Sequence, residues 1–481
     1  MLHRRHDIPE NALKIKQFSN NLITMFNDRY TSLLSYLDTY RSRNEMILVH
    51  SIKRKLRQTS NIIRVTDKSR VFHVDSTIHY EEKVKQYQIK TNACVELSSN
   101  PLMDTFNKAV RLFNDLRAKE KIPEWQYKKM MPKKDEIKLA YLYFIPKSHK
   151  EGTPLRPIVS GIYAPATGIS KMLDKLKRPL FDQYVKQTTI IDGVHLIRQL
   201  HKYVSLDLLK PSTYLCTFDI TDLYTMLPQE EAIAILKTFL LQFGHTHVRH
   251  MTIDAIESLA RIVLIENVFT YNDKYYRQIE GGTMGSPFTL TLANIFMWHW
   301  EQKLVEKQKS FNELYGRYID DISMTSNDSV EYLRQMLSTA NEYHTNIKLT
   351  SEIDSAEPYI LPFKSDHPRH YFGNITRTSL CRAIRYSSTL QEFNYERRYI
   401  KLMLLYNGKI YSTSIRKPIF ETFHQTTSFS QMIHDENKYL TVRGGLLLKA
   451  TPGEHARAAR IATEIDRNKS TTCIDPSVNY N

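Results

Sequence analysis

Two adjacent aspartates, Asp320 and Asp321, sit inside "YGRYIDDISMTS", where the flanking residues prefer strands. A tight hairpin around two central residues would display both carboxylates at its tip. A third carboxylate, Asp219, closes the run "YLCTFDI", again where a sheet would stop. Carboxylates gathered at strand ends repel one another unless a divalent cation neutralises them. Magnesium prefers carboxylate and phosphate oxygens in octahedral geometry, and two such ions ~3.5–4 Å apart clamp the attacking and leaving oxygens of a phosphoryl transfer. An Asp-rich turn without chemistry would show the same doublet, so order and company decide. Between Asp219 and Asp320 lies "GGTMGSP", a glycine turn opening a helix with Ser286 as N-cap and Pro287 at its first position.

The elements that must position these residues are legible in outline. Residues 1 to about 60 read as helical, with Leu13, Phe18, Leu22, Phe26 and Leu33 spaced for one face. "SNIIRVTDKSRVFHVDSTIHYEEKVKQY" alternates like a short hairpin before a helix beginning near Tyr80. "LAYLYFIPKSHKEGTPLRPIVSGI" reads as two extended segments joined by a polar turn. "YLCTFDI" is a strand, and Pro228 with Gln229, Glu230 and Glu231 opens the following helix. Leu292, Phe296 and Trp300 continue an apolar stripe after Ser286. "TRTSLCRAIRYSSTLQEFNYERRYIKLMLLYNGKIY" reads as two helices closed by Asn407-Gly408, and the tail from about Asn468 is expected to be loose.

Composition narrows the partner class. A chain of 481 residues supports more than one compact core. No run approaches the ~18 apolar residues that cross a bilayer, and the start lacks an apolar leader core. Four scattered cysteines without C-x-x-C spacing fit a reducing interior, with neither a disulfide framework nor a zinc knuckle. The net charge is +16, and the first 70 residues carry 14 Lys/Arg against 6 Asp/Glu. Such a balance suits a polyanion, usually nucleic acid, although a solvated basic surface would have the same composition.

The ordered set resembles the reverse transcriptases of the Penelope-like retroelement group, relatives of telomerase reverse transcriptase. "FIPKSHKEGTPLRPIVSG" is similar to the group's fingers motif, "FDITDLYTMLP" to motif A, "GGTMGSP" to motif B, "RYIDDI" to motif C and "IKLTSEID" to motif D. "RVTDKSRVFHVD" resembles its N-terminal motif, usually Asp-Lys-Gly, with Ser69 in the glycine's place. "LPFKSDHPRHYF" and "RYSSTLQEFNYERR" resemble its connection and thumb. The likeness runs from about residue 40 to 410. The segment after "SEID" is shorter than the family's, which affects primer positioning and not the metal site.

This resemblance implies an α+β right-hand polymerase: fingers, a palm with an antiparallel sheet, a helical thumb and a basic helical N-terminal region. The expected boundaries are 1–90, 91–365 for fingers and palm, 366–467 for thumb and extension, and 468–481 for a flexible tail. Asp219, Asp320 and Asp321 would be catalytic, holding two Mg²⁺ ions (or Mn²⁺) with the carbonyl of Ile220. Lys147 and Arg156 would grip the dNTP triphosphate, and Tyr224 would sit under the sugar and exclude a 2′-hydroxyl. Gly285 and Ser286 would let the backbone approach base pair and template, and Lys348 would protonate pyrophosphate. Lys53, Arg54, Lys55, Arg57 and Lys68 would hold nucleic acid. The implied reaction is RNA-directed DNA synthesis on an RNA template from a DNA primer in the nucleus, away from membranes, without an endonuclease domain. A silenced or domesticated descendant that binds RNA or DNA without extending it, and an RNA-dependent RNA polymerase, are the rival readings; Tyr224 argues against the latter.

Overall fold

The computed structural model describes residues 13–31, 35–67, 72–148, 150–350, 370–406 and 432–472. The chain divides into two compact units, one of residues 1–64 and 72–82, the other of residues 65–71 and 83–481.

In the first unit, helices α1 (Leu13–Thr31) and α2 (Tyr36–Gln58) precede strands β1 (Asn61–Val65) and β2 (Phe72–Ser76), which form a two-stranded sheet. Ser35 starts α2 by accepting a hydrogen bond from the Asp38 amide at 3.2 Å. Phe18, Leu22 and Phe26 share one side of α1 but not a core face; Leu13 stands about half a turn from Leu22, and all four are exposed. Leu33 lies outside the described residues. Helix α3 (Thr77–Thr91) follows the hairpin directly, three residues earlier than sequence suggests.

The second unit continues with β3 (Cys94–Leu97), α4 (Leu102–Ala118), α5 (Glu124–Met130), β4 (Ala140–Pro146), β5 (Leu155–Ser160), α6 (Thr167–Tyr184), α7 (Gly193–Ser205), β6 (Tyr214–Ile220), α8 (Leu223–Met226) and α9 (Gln229–Gln242). A short ladder, β7 (His247–Val248) and β8 (Met251–Thr252), leads to α10 (Ile253–Leu264), β9 (Val268–Tyr271) and β10 (Lys274–Gln278). Then come α11 (Pro287–Trp300), α12 (Gln302–Ser310), β11 (Tyr315–Tyr318), β12 (Asp321–Ser326), α13 (Val330–Glu342) and β13 (Leu349–Thr350). Helices α14 (His370–Tyr386), α15 (Leu390–Tyr406), α16 (Glu436–Leu448) and α17 (Pro452–Thr472) finish it.

Two sheets organise this unit. One has strand order β3-β10-β9-β4-β5, the other β11-β12-β6-β13. The second is antiparallel throughout. Its strands alternate, with Phe218, Ile220, Ile322 and Met324 buried, so the intervening positions face the other way. Beneath them pack α6, α9, α10 and α11. Helix α11 is apolar nearly all round, and Leu292, Phe296, Trp298 and Trp300 are buried in the same core.

A smaller core joins α14, α15 and α16 through Ile384, Phe393 and Tyr439. Helix α17 returns to α6, where the Arg457 guanidinium donates to the Asp182 carbonyl at 2.7 Å and Arg460 pairs with the Asp182 carboxylate at 2.7 Å. Residues 407–431, with the expected Asn407-Gly408 stop, and residues 473–481 lie outside the described residues. No described helix is long and apolar enough to cross a membrane.

Candidate active site

Strand β6 turns Phe218 and Ile220 into the core, which leaves Asp219 half-buried on the opposite face. The hairpin expected around the doublet is present, but its two-residue turn is shifted one position towards the N-terminus. Tyr318 pairs with Asp321, so the turn consists of Ile319 and Asp320. Asp320 sits at the tip and Asp321 begins β12. Ile319 adopts a left-handed φ of 60°, an unusual conformation for a β-branched residue.

Asp321 lies directly opposite Asp219, and the Ile220 amide donates to the Asp320 carbonyl at 3.0 Å. That bond makes Asp219 and Asp321 a non-hydrogen-bonded pair, the narrow kind with Cα atoms about 4.5 Å apart and side chains on one face. Two like charges so placed are destabilising without a countercharge. Lys150 provides part of one, its ammonium 4.0 Å from the Asp219 carboxylate. Among the described residues, no three His, Cys, Asp or Glu side chains gather closely enough to complete a metal site by themselves. The donors present are all hard oxygens, and they fit an ion such as Mg²⁺, which commonly takes one or two carboxylates and completes its shell with water and substrate phosphate. Asp219, Asp320, Asp321 and the Ile220 carbonyl are the residues that would hold it.

The other residues expected at the site, Lys147, Arg156 and Tyr224, come from the β4–β5 hairpin and from α8. Arg156 is paired with Ile145, and the Lys147 amide donates to the Pro154 carbonyl at 2.8 Å. Burial, reinforced by the neighbouring Arg156, pushes the Lys147 ammonium below the usual lysine range. Arg156 lies 3.4 Å from the carboxylate of Asp67, whose amide donates to the Pro146 carbonyl at 2.9 Å. Asp222 takes a left-handed φ of 50° at the start of α8 and its carboxylate accepts from Lys90 at 2.8 Å, so it shapes a turn.

Tyr224, on α8, is half-buried against the core. Burial, with the charge of Asp320 second, pushes its phenol up to about 12. The phenol is therefore neutral near pH 7 and close enough to feel the tip carboxylate.

The glycine turn explains how these parts share one wall. A Cβ on Gly281, at φ 73°, would meet the Tyr224 and Thr225 carbonyls at 2.5 Å. A Cβ on Gly285, at φ 138°, would meet the Val159 carbonyl on β5 at 2.7 Å. The loop is thus pressed between α8 and β5. Ser286 occupies the N-cap position of α11, but its hydroxyl shares a 2.7 Å hydrogen bond with Ser170. Ser170 does the capping, accepting from the Phe288 amide at 3.2 Å. Gly285 and Ser286 line a cleft of about 300 Å³ with Thr283, Asn267 and Lys171.

Other expected residues stand apart. The Lys348 ammonium donates to the Asn341 carbonyl at 2.6 Å and the His344 carbonyl at 3.3 Å, so it is committed to the end of α13. Its backbone remains beside the site, accepting from the Thr221 amide at 2.9 Å. Lys53, Arg54, Lys55 and Arg57 are exposed on the last turns of α2, in the first unit. Lys68 lies outside the described residues. Sequence reasoning assigned no role to Asp67 or Lys150, although both lie inside motifs it singled out.

Residues 359–416 match the family described as the Animal helix-turn-helix domain, a stretch that contains α14 and α15. Comparison with curated proteins returns no match. Among solved structures, telomerase from Candida albicans, in complex with the TWJ fragment of telomeric RNA, aligns over 92% of this chain and 76% of that chain, with TM-score 0.54 and 13% identity. Apo telomerase from Candida tropicalis aligns over 97% and 82%, with TM-score 0.44 and 10% identity. The Sicinivirus 3Dpol RNA-dependent RNA polymerase aligns over 72% and 70%, with TM-score 0.37 and 11% identity. The similarity to the Candida albicans structure, which spans most of the chain, shows an α+β polymerase-like fold of the telomerase reverse transcriptase kind.

Proposed function

We propose that this chain is an RNA-directed DNA polymerase of the Penelope-like group, extending a DNA primer on an RNA template with dNTPs, in the nucleus. The observation that carries the reading is the narrow Asp219/Asp321 pair with Asp320 at the hairpin tip. Magnesium bound there would supply Lewis-acid activation and charge neutralisation for nucleotidyl transfer. The chain's own residues bind and orient. Lys147 and Arg156 meet the triphosphate, with Asp67 holding the guanidinium until phosphate replaces it. Tyr224 lies flush under the sugar and rejects a 2′-hydroxyl. Gly285 and Ser286 leave room for the templating nucleotide in their cleft. The basic residues of α2 add sequence-independent affinity for phosphates.

A second reading, a descendant that holds RNA or DNA without extending it, is favoured by one observation: the Lys348 ammonium is spent on the Asn341 and His344 carbonyls. Primer extension separates the two. Purified protein should extend oligo(dT) on poly(rA) with Mg²⁺ or Mn²⁺, and Asp320→Ala should abolish extension while still binding the duplex. A wild type that extends no better than Asp320→Ala, while both still bind the duplex, would leave only the binding role.

A further inference from the structure

Directly behind the hairpin tip lies an ion pair with almost no solvent exposure, 0% for Arg317 and 1% for Glu301. Arg317 is on β11, two residues before Ile319, and Glu301 caps the end of α11. The Arg317 Nε donates to Glu301 Oε2 at 2.5 Å. One terminal nitrogen donates to Asn294 Oδ1 at 2.8 Å and to the Ile319 carbonyl at 2.9 Å, and the other to the Asn294 carbonyl at 3.2 Å. The Tyr315 hydroxyl donates to the same Glu301 oxygen at 3.0 Å. The backbone is fixed as well, with the Arg317 amide donating to the Thr188 carbonyl at 2.8 Å.

Taking both charges out of water is costly, and an apolar pair of similar volume would often serve stability equally well. The geometry suggests what is gained instead. The Ile319 carbonyl belongs to the peptide whose N–H is that of Asp320. Ile319 is a β-branched residue in a left-handed conformation, which persists only where its surroundings impose it. Arg317 holds that carbonyl with the same guanidinium that grips α11, the helix opened by the glycine loop.

We infer that Arg317 is a positioning residue: its buried guanidinium fixes the peptide that carries Asp320 and ties the hairpin tip to α11, so that the metal-binding carboxylate and the template-facing loop keep one geometry. This rests on the polymerase reading of the site. Arg317 touches no substrate in this role and acts through Asp320.

The test separates positioning from bulk stability. The double variant Arg317→Met/Glu301→Gln removes the guanidinium without stranding a buried charge, and Arg317→Lys keeps the charge while losing the fork. Asn294→Ala leaves the ion pair in place and cuts part of its tie to α11, so it still decides the matter if the double variant fails to fold. Mn²⁺ binding is read by electron paramagnetic resonance, alongside duplex affinity, kcat and the KM for dNTP. The double variant is expected to melt near wild type and bind duplex equally well, with Mn²⁺ affinity and kcat each down about 10–100-fold and KM little changed. Arg317→Lys should recover part of both, and Asn294→Ala should lose less than the double variant. A folded double variant with wild-type Mn²⁺ affinity and kcat would overturn the inference, as would an Asn294→Ala protein indistinguishable from wild type when only that variant folds. A wild type that binds Mn²⁺ but never extends a primer would sink the polymerase reading, and the Mn²⁺ titrations would still decide the role of Arg317.

Discussion

Replacing Asp321 by asparagine should make the metal-free protein more stable and blunt its response to magnesium. Asp321 faces Asp219 across a narrow pair, where Cβ atoms stand about 4.5–5.5 Å apart. Two unit charges at about 5 Å repel by about 3 kcal/mol at an effective dielectric of 20 and by about 0.8 kcal/mol in bulk water. The Asp219 side chain is 28% exposed and Lys150 stands 4.0 Å from it, and both reduce the repulsion. A net gain of about 1 kcal/mol is expected for Asp321→Asn after that discount, or roughly 2 °C in melting temperature for a unit this large. Magnesium at tenfold its dissociation constant should stabilise wild type by about 1.4 kcal/mol through mass action, and Asp321→Asn should lose most of that gain. Thermal melts of wild type, Asp321→Asn and Asp219→Asn, in chelator and in magnesium, read both effects. An asparagine variant that is less stable than wild type in chelator, or that responds equally to magnesium, would refute the reasoning.

Three further outcomes follow from the same geometry. Tyr224→Ala should narrow the preference for dNTPs over rNTPs in primer extension, whereas Tyr224→Phe should keep it, because a phenol pushed up to about 12 contributes its ring and no charge. Gly281→Ala should cost about 3 kcal/mol, since its Cβ would press on two backbone carbonyls at 2.5 Å; Gly152→Ala, at φ 70° with open space around it, should cost only about 1 kcal/mol in the same melts. If Lys147 binds the triphosphate it does so in its charged form, so the KM for dNTP should begin to rise with pH below the usual lysine value, and Lys147→Arg should move that rise to higher pH; identical pH profiles would remove Lys147 from the proposed phosphate site.

The parts of this architecture written in local periodicity were legible. Strand β6 and the β11–β12 hairpin follow from alternation of buried residues, and α11 follows from its glycine turn and Pro287. The centre of the hairpin was not legible, because Ile319 takes a conformation its own type disfavours and its carbonyl is held by Arg317, which is itself anchored on remote Glu301 and Asn294. Ser286 was recognisable as an N-cap by type, yet its hydroxyl answers to Ser170, 116 residues away in sequence. The partner of Arg156 was equally remote, since Asp67 lies 89 residues upstream. Phe18, Leu22 and Phe26 share a side of α1 as their spacing implies, whereas Leu13 does not, and spacing alone could not say whether anything covers that side.

The central claim is that three acidic side chains from β6 and the β11–β12 turn share divalent metal ions. Anomalous diffraction from crystals of the protein with an RNA template, a dideoxy-terminated DNA primer, the next dNTP and Mn²⁺ tests it most directly. Two manganese peaks ~3.5–4 Å apart, bridging Asp219 and the Asp320–Asp321 doublet to the triphosphate, are predicted. Ordered primer and dNTP with no manganese between those carboxylates would contradict it.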